Sequence, residues 1–294
     1  MASKRGVLMY AHNNPEIDYV GMALTNAAQC WRHLDIDGIT VVTDPHTLGH
    51  AKKVYPDRLD RVTEWVVVDK NQDFKEKNIR PYRDTAHTTK SLSFYNYNRC
   101  DAGDITTYGE TLLIDADYLI QSSTLNAVWA HSESLMMNWQ WQDLHQDRVD
   151  TTLDYLWPLG ITQYWATVVY WRQDAQSEAF FEVAKHVRDH PQYYRDLYKW
   201  QGSIYRNDYS FSIAAHTIMG YRDRALPQLP TTLYKTFDRD DVHSVPAQDE
   251  VIMYLEKPRS PGDFELCRWS NMDLHIMNKW ALGRIQEDLE AHNE

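Results

Sequence analysis

Glu110 to Asp117 reads ETLLIDAD, an apolar run that ends in two carboxylates with one alanine between them. Leu112, Leu113 and Ile114 suit a strand buried on both faces, as at the centre of a parallel sheet. Such a strand cannot hold ionised carboxylates inside it, because an unpaired buried charge costs several kcal/mol. Asp115 and Asp117 must therefore emerge where the strand leaves the core. In open α/β sheets that carboxyl end is where ligands bind. Two carboxylates around one small residue suit Mg²⁺ or Mn²⁺, and such an ion can clamp a diphosphate. The same residues also fit a plain strand followed by an Asp-rich turn, so the motif needs support from elsewhere in the chain.

The order of elements supplies part of that support. Gly6–Tyr10 is a first strand ending in a polar turn, Ala11-His12-Asn13-Asn14. Asp18–Leu34 carries an apolar stripe at helical spacing through Tyr19, Met22, Ala23 and Cys30. Ile39–Val42 is a second strand, closed by Asp44-Pro45, and a short helix follows over His46–Tyr55. Trp65–Val68 is a third strand, and His87–Asn98 reads as a helix before the acidic strand. This alternation predicts an α/β fold with a mostly parallel central sheet and crossover helices. The later part is less regular. Ser123–Ala130 and Ser134–Val149 read as helices and Ile161–Trp171 as a strand rich in β-branched and aromatic residues. Helices are expected over Ser177–Asp189, stopped by Pro191, and over Asn207–Met219, closed by Gly220. Val251–Leu255 and Phe264–Trp269 read as late strands and Leu282–Glu290 as a charged terminal helix. No repeat or composition break demands a domain boundary, and the length suits one large α/β domain or two smaller ones.

At 294 residues and 43% hydrophobic, the chain can bury a large core and disorder is not expected. The net charge of −12 argues against a general nucleic-acid coat. One stretch runs the other way: Lys70, Lys75, Lys77, Arg80, Arg83, Lys90 and Arg99 outnumber Asp73, Glu76 and Asp84 between them. It reads as a solvated loop or as a surface for an anionic ligand. The 11 Trp and 19 Tyr serve packing, or stacking on sugar and base faces. Cys30, Cys100 and Cys267 have no zinc spacing and make no even disulfide set, which points to a reducing compartment. The apolar run near the start is too short for a signal peptide, and no segment has the length of a membrane helix. A soluble, cytoplasmic protein with no membrane partner is expected.

A second chemical clue lies at Asp273-Leu274-His275-Ile276-Met277-Asn278-Lys279-Trp280. A neutral imidazole can complete the coordination of a borderline divalent cation, and a lysine supplies a point charge to a phosphate. His275 and Lys279 place both in one short segment. Taken alone, the segment also fits an amphipathic turn.

With the acidic strand and this late His-x₃-Lys-Trp together, the chain resembles the metal-dependent glycosyltransferases of the GT-A fold. It is most similar to the retaining glycogenin and bacterial galactosyltransferase group. The resemblance implies a single GT-A, Rossmann-like domain, with a nucleotide-sugar-binding half over 1–117 and an acceptor-binding half over 118–294. It implies that Asp115, Asp117 and His275 hold Mn²⁺ or Mg²⁺ and that Lys279 contacts the diphosphate of a nucleoside-diphosphate sugar, a UDP-sugar first. The chain departs from the family in having Met277-Asn278 where a glycine is usual, and no proline between Lys279 and Trp280. By the same resemblance the donor site includes Ala11, Asn13 and Asn14 in the first turn, Tyr19 as a stacking residue, Asp44 after the second strand, and Lys90. Asp208 stands where the family keeps an Asp-Gln pair facing the sugar, with Tyr209 in place of the Gln. It is the residue expected to stabilise the reacting sugar, or alternatively a helix N-cap.

In its LLIDADY and LHIMNKW wording the chain also resembles compact glycosyltransferases of tailed phages, some of which modify hydroxymethylated DNA bases. A DNA acceptor would use Lys75, Lys77, Arg80 and Arg83; a glycan, protein or small molecule would not. Two other readings stand beside transfer. A nucleotidyltransferase making a nucleotide sugar would share the architecture, although Ala11-His12-Asn13-Asn14 is not a Gly-rich basic phosphate loop. A non-catalytic sugar-binding protein would need only the aromatics.

Overall fold

The computed structural model describes residues 3–68, 79–82, 90–93, 96–145, 148, 154–157, 160–200, 205–224 and 226–292. Along the chain, β1 (Arg5–Tyr10), α1 (Tyr19–His33), β2 (Gly38–Thr43), α2 (Pro45–Val54) and β3 (Glu64–Val67) alternate as predicted. Next come β4 (Ile79–Tyr82), β5 (Lys90–Ser93), α3 (Ala102–Ile105) and β6 (Glu110–Asp115). The middle of the chain holds β7 (Tyr118–Leu119), β8 (Leu135–Met137), β9 (Trp141–Asp143) and β10 (Val168–Arg172), then α4 (Ala175–Asp189), α5 (Pro191–Tyr198) and α6 (Asn207–Ile218). The last part holds β11 (Leu233–Lys235), β12 (Asp241–Ala247), β13 (Glu250–Glu256), β14 (Phe264–Ser270), β15 (Leu274–His275), α7 (Lys279–Arg284) and α8 (Gln286–Ala291).

The central sheet has the order β3-β2-β1-β6-β10-β8. Its first four strands are parallel, and β10 runs antiparallel to both β6 and β8. The expected fold class, α/β with a mostly parallel sheet, is therefore met. Alternate residues of β1 and β6 enter opposite cores. Val7, Met9, Leu112 and Ile114 pack on the side of α1, and Leu8, Tyr10 and Leu113 pack on the side of α4 and α6. With both faces covered, β6 carries carboxylates only at its two ends, Glu110, which is held by Tyr170 and Arg172, and Asp115. A four-stranded sheet, β7-β15-β11-β9, lies beyond that end.

Local chemistry sets the helix starts. The Asp18 carboxylate accepts from Gly21 N, and Asp44 accepts from His46 N and Thr47 N with Pro45 behind it. Asp174 and Ser177 form a reciprocal cap on α4. After α6 the chain reverses through Gly220 at φ +69°, a left-handed conformation that glycine adopts without strain.

Several elements differ from the sequence expectation. The helix expected over His87–Asn98 is instead β5 paired with β4, followed by a 3-10 turn at Asn96–Asp101, so Lys90 lies on a strand. Ser91 and Ser93 are weak helix formers, and the cross-strand ladder prevails. The helix expected over Ser134–Val149 is replaced by β8 and β9. Leu135 and Met137 face one core and Met136 the other, a period of two. Of the strand expected over Ile161–Trp171, only Val168 onward joins the ladder. The preceding backbone donors go elsewhere: Tyr164 N to Ser212 Oγ, Trp165 N to Asn138 O and Ala166 N to Asp208 Oδ1. The terminal helix is divided at Ile285 into α7 and α8.

Candidate functional site

Asp115 closes β6 and Asp117 opens the turn into β7, which pairs antiparallel with β15. That register sets Tyr118 opposite His275, and Ile276 N donates to Asp117 O at 3.1 Å. The two-residue β15 thus delivers His275 to the acidic turn. One ligand atom from each of Asp115, Asp117 and His275 lies within 4.8 Å of the others. Asn278 caps α7 by accepting from Ala281 N, which starts that helix at Lys279 and aims its side chain at the same turn. Lys279 Nζ is 2.5 Å from Asp117 Oδ2, and His275 Nε2 is 3.4 Å from the same oxygen.

Asp115 is paired with Arg99, whose other terminal nitrogen donates to Ala166 O at 2.6 Å. Burial raises the Asp115 carboxyl against the pull of Arg99, and the neighbouring Asp117 raises it further. Burial works the same way on Asp117, but Lys279 and then His275 outweigh it and hold that carboxyl far below the usual range. The arrangement suits a divalent cation: two carboxylates and one imidazole, with His275 Nδ1 buried and lacking a partner among the described residues.

These residues line a cavity of about 140 Å³ with Tyr10, Tyr19, Trp165, Arg206 and Asp208. Asp208 does not cap α6; its Oδ1 accepts from Ala166 N at 3.0 Å and its Oδ2 from Arg206 Nε at 3.0 Å. Burial opposes its charge, but Arg206 and the Ala166 N–H prevail and keep the carboxyl below its usual range.

The cavity therefore joins Tyr19, Asp115, Asp117, Asp208, His275 and Lys279. Other residues expected at the donor site are engaged elsewhere. Ala11 is fully buried in the core beside α1. Asn13 bonds Asp18 and Val20 N, and Asn14 closes its own loop on Glu16 N and Ile17 N. Asp44 caps α2 and holds Thr47 Oγ1 at 2.6 Å. Lys75, Lys77 and Arg83 lie outside the described residues; Arg80 falls on β4 and Lys90 on β5.

Arg99 and Arg206 were missed as site residues. Arg99 looked like one more charge in a basic stretch, and no local pattern distinguishes a buried arginine from a solvated one. Arg206 had a usable signal, since a cation two residues before Asp208 can reach it.

No protein-family model matches the chain, and no curated protein matches its sequence. Solved structures of similar shape do exist. The galactosyltransferase LgtC, in complex with donor and acceptor sugar analogs, is 15% identical at a TM-score of 0.47 over 71% of this chain and 70% of its own. Mouse xyloside xylosyltransferase 1 is 11% identical at 0.43 over 73% and 83%. A glucose-1-phosphate thymidylyltransferase from Bacillus anthracis is 8% identical at 0.42 over 76% and 85%. At such identities and scores the likeness says nothing of what this chain binds. Among the described residues no helix is long and apolar enough to cross a membrane.

Proposed function

We propose that the chain is a metal-dependent glycosyltransferase of the GT-A kind. It moves a sugar from a nucleoside-diphosphate sugar, a UDP-sugar first, to an acceptor hydroxyl with retention of configuration. The observation that carries this reading is the convergence of Asp115 and Asp117 with the distant His275 and Lys279 on a cavity that Asp208 also lines. Asp115, Asp117 and His275 would hold a divalent cation, which when bound supplies neutralising charge to a leaving diphosphate.

The chain's own groups supply the rest. Lys279 offers a point charge to phosphate oxygens, while Arg99 holds Asp115 in place through one terminal nitrogen and Ala166 O through the other. As the bond between the anomeric carbon and the phosphate oxygen breaks, its electron pair leaves with the diphosphate and positive charge grows on the sugar. Asp208, kept ionised by Arg206 and the Ala166 N–H, stabilises that charge. The acceptor oxygen bonds to the anomeric carbon on the face the diphosphate vacates, and its proton passes to the departing phosphate oxygen. Tyr19 offers a ring to the nucleoside.

Thermal denaturation with a panel of nucleotide sugars, with and without Mn²⁺, tests the reading. A matching donor at about 100 times its dissociation constant should add about 2.7 kcal/mol of stability, and its slow hydrolysis should need the cation. Stabilisation by none of them would refute the donor reading. Release of pyrophosphate would make the chain a nucleotidyltransferase instead, and cation-independent binding without turnover would make it a sugar-binding protein.

A further inference from the structure

A second cavity, of about 400 Å³, opens beside the first. Its wall includes Trp139, Trp141 and Tyr155. Tyr155 is 38% exposed and offers its ring to solvent. The Arg224 guanidinium lies 4.1 Å over the Trp139 ring, stacked on its face. The amides of Gln140 and Gln142 add donors and acceptors at the same wall.

The two cavities share a partition. Trp141 belongs to the second, and its ring meets edge-on, at 6.2 Å, the ring of Trp165, which lines the first. Thr162 faces the second cavity and Trp165 the first. Three residues of extended chain reach at most about 11 Å, so a molecule seated in the second cavity can present one end to the first.

The lining also selects a chemistry. Flat aromatic surfaces edged by amides suit sugar rings and their hydroxyls. A polyanion would need several unmatched cations. Among the described lining residues the cation is Arg224, which sits 3.7 Å from Asp223, and Asp154 adds a carboxylate. We infer that this second cavity is the acceptor subsite and that it takes a neutral carbohydrate chain, stacked on Tyr155 and on the Trp139–Arg224 pair. The inference rests on the donor reading above and adds the acceptor class to it.

The test uses para-nitrophenyl glycosides of the common hexoses as probes, with hydroxymethylcytosine-bearing duplex DNA as the competing arm. Binding is read by ligand-observed saturation-transfer NMR on the full chain, and donor hydrolysis by the unmodified protein is read in parallel. At least one glycoside should bind, and Tyr155→Ala and Arg224→Ala should each weaken it at least about tenfold at an unchanged melting temperature, a loss of roughly 1.4 kcal/mol. Both side chains are exposed enough to be removed without opening the core. Binding of no glycoside, equal binding after both substitutions, or glycosylation of the DNA would overturn the assignment. Donor hydrolysis distinguishes the two failures: if it persists, the acceptor class alone is wrong. If it is absent while glycosides bind, the donor reading fails and the acceptor role falls with it.

Discussion

Asp117 faces two partners at once, the Lys279 ammonium and the His275 imidazole. An alanine there would leave Lys279 buried without its counter-charge, and such losses cost about 3–5 kcal/mol. Asp117→Asn removes the same charge but keeps the shape and an oxygen that can accept from Lys279, so it is the cleaner probe. It should reduce cation-stimulated donor hydrolysis about 100-fold or more while the protein remains folded by circular dichroism. Retained stimulation would remove Asp117 from the site. His216 gives a different residue-scale prediction. Its Nε2–H donates to Thr162 O at 3.1 Å, and Nδ1 is buried with no partner among the described residues. Burial therefore pushes the imidazole below its usual value, with the bond to Thr162 opposing. The folded chain binds fewer protons than the unfolded chain in that window. Stability is then full above about pH 6.5 and is lost as the pH falls through the folded value. The melting temperature should fall more steeply between about pH 7.5 and pH 5.5 than in His216→Gln. Parallel slopes would contradict this.

At the scale of elements, α1 braces the acidic turn through one buried side chain. Asn26 donates to Tyr118 O at 2.7 Å and to Asp115 O at 3.4 Å, and its own oxygen accepts from Ile120 N at 3.3 Å. Asn26→Leu should strand these buried backbone groups at about 1–3 kcal/mol each and displace the turn. The expected result is a lower urea midpoint together with lost cation-dependent donor stabilisation. If stability falls but the donor response is intact, α1 does not position the site. Elements of this sort explain what could be read from the sequence. The parallel strands were legible because Val7–Met9 and Leu112–Ile114 are continuous apolar runs, and the carboxylates announced where β6 ends. β15 was illegible, since two residues have no periodicity and its pairing with β7 is set by tertiary contact. β8 was misread because Leu135-Met136-Met137 is apolar on both faces and suits either period. The donor role expected of Asn13 and Asn14 came from their position after β1, whereas their side chains close local turns. Asp208 was found through resemblance, but what fixes it, the Ala166 N–H, comes from an irregular segment that looked like strand.

For the whole molecule, the net charge of −12 sets a background that any polyanion must overcome. Duplex DNA bearing hydroxymethylated bases should therefore bind weakly at physiological salt, and reversing Lys75 and Lys77 should leave donor hydrolysis intact. If DNA does bind tightly, and each lost basic residue among Lys75, Lys77, Arg80 and Arg83 flattens the log–log salt slope by about one unit, the acceptor is nucleic acid. The pairing of β7 with β15 has a consequence in time. Asp117 and His275 are 158 positions apart in the chain, and at about 5–20 residues per second a ribosome needs roughly 8–30 s to pass from one to the other. Throughout that interval the nascent polypeptide exposes its acidic turn with neither histidine nor lysine to answer it. The Asp115–Asp117–His275 cluster is then completed late in translation, when β15 docks on β7, and a chain released before that point would keep the two carboxylates but lack both the imidazole and Lys279.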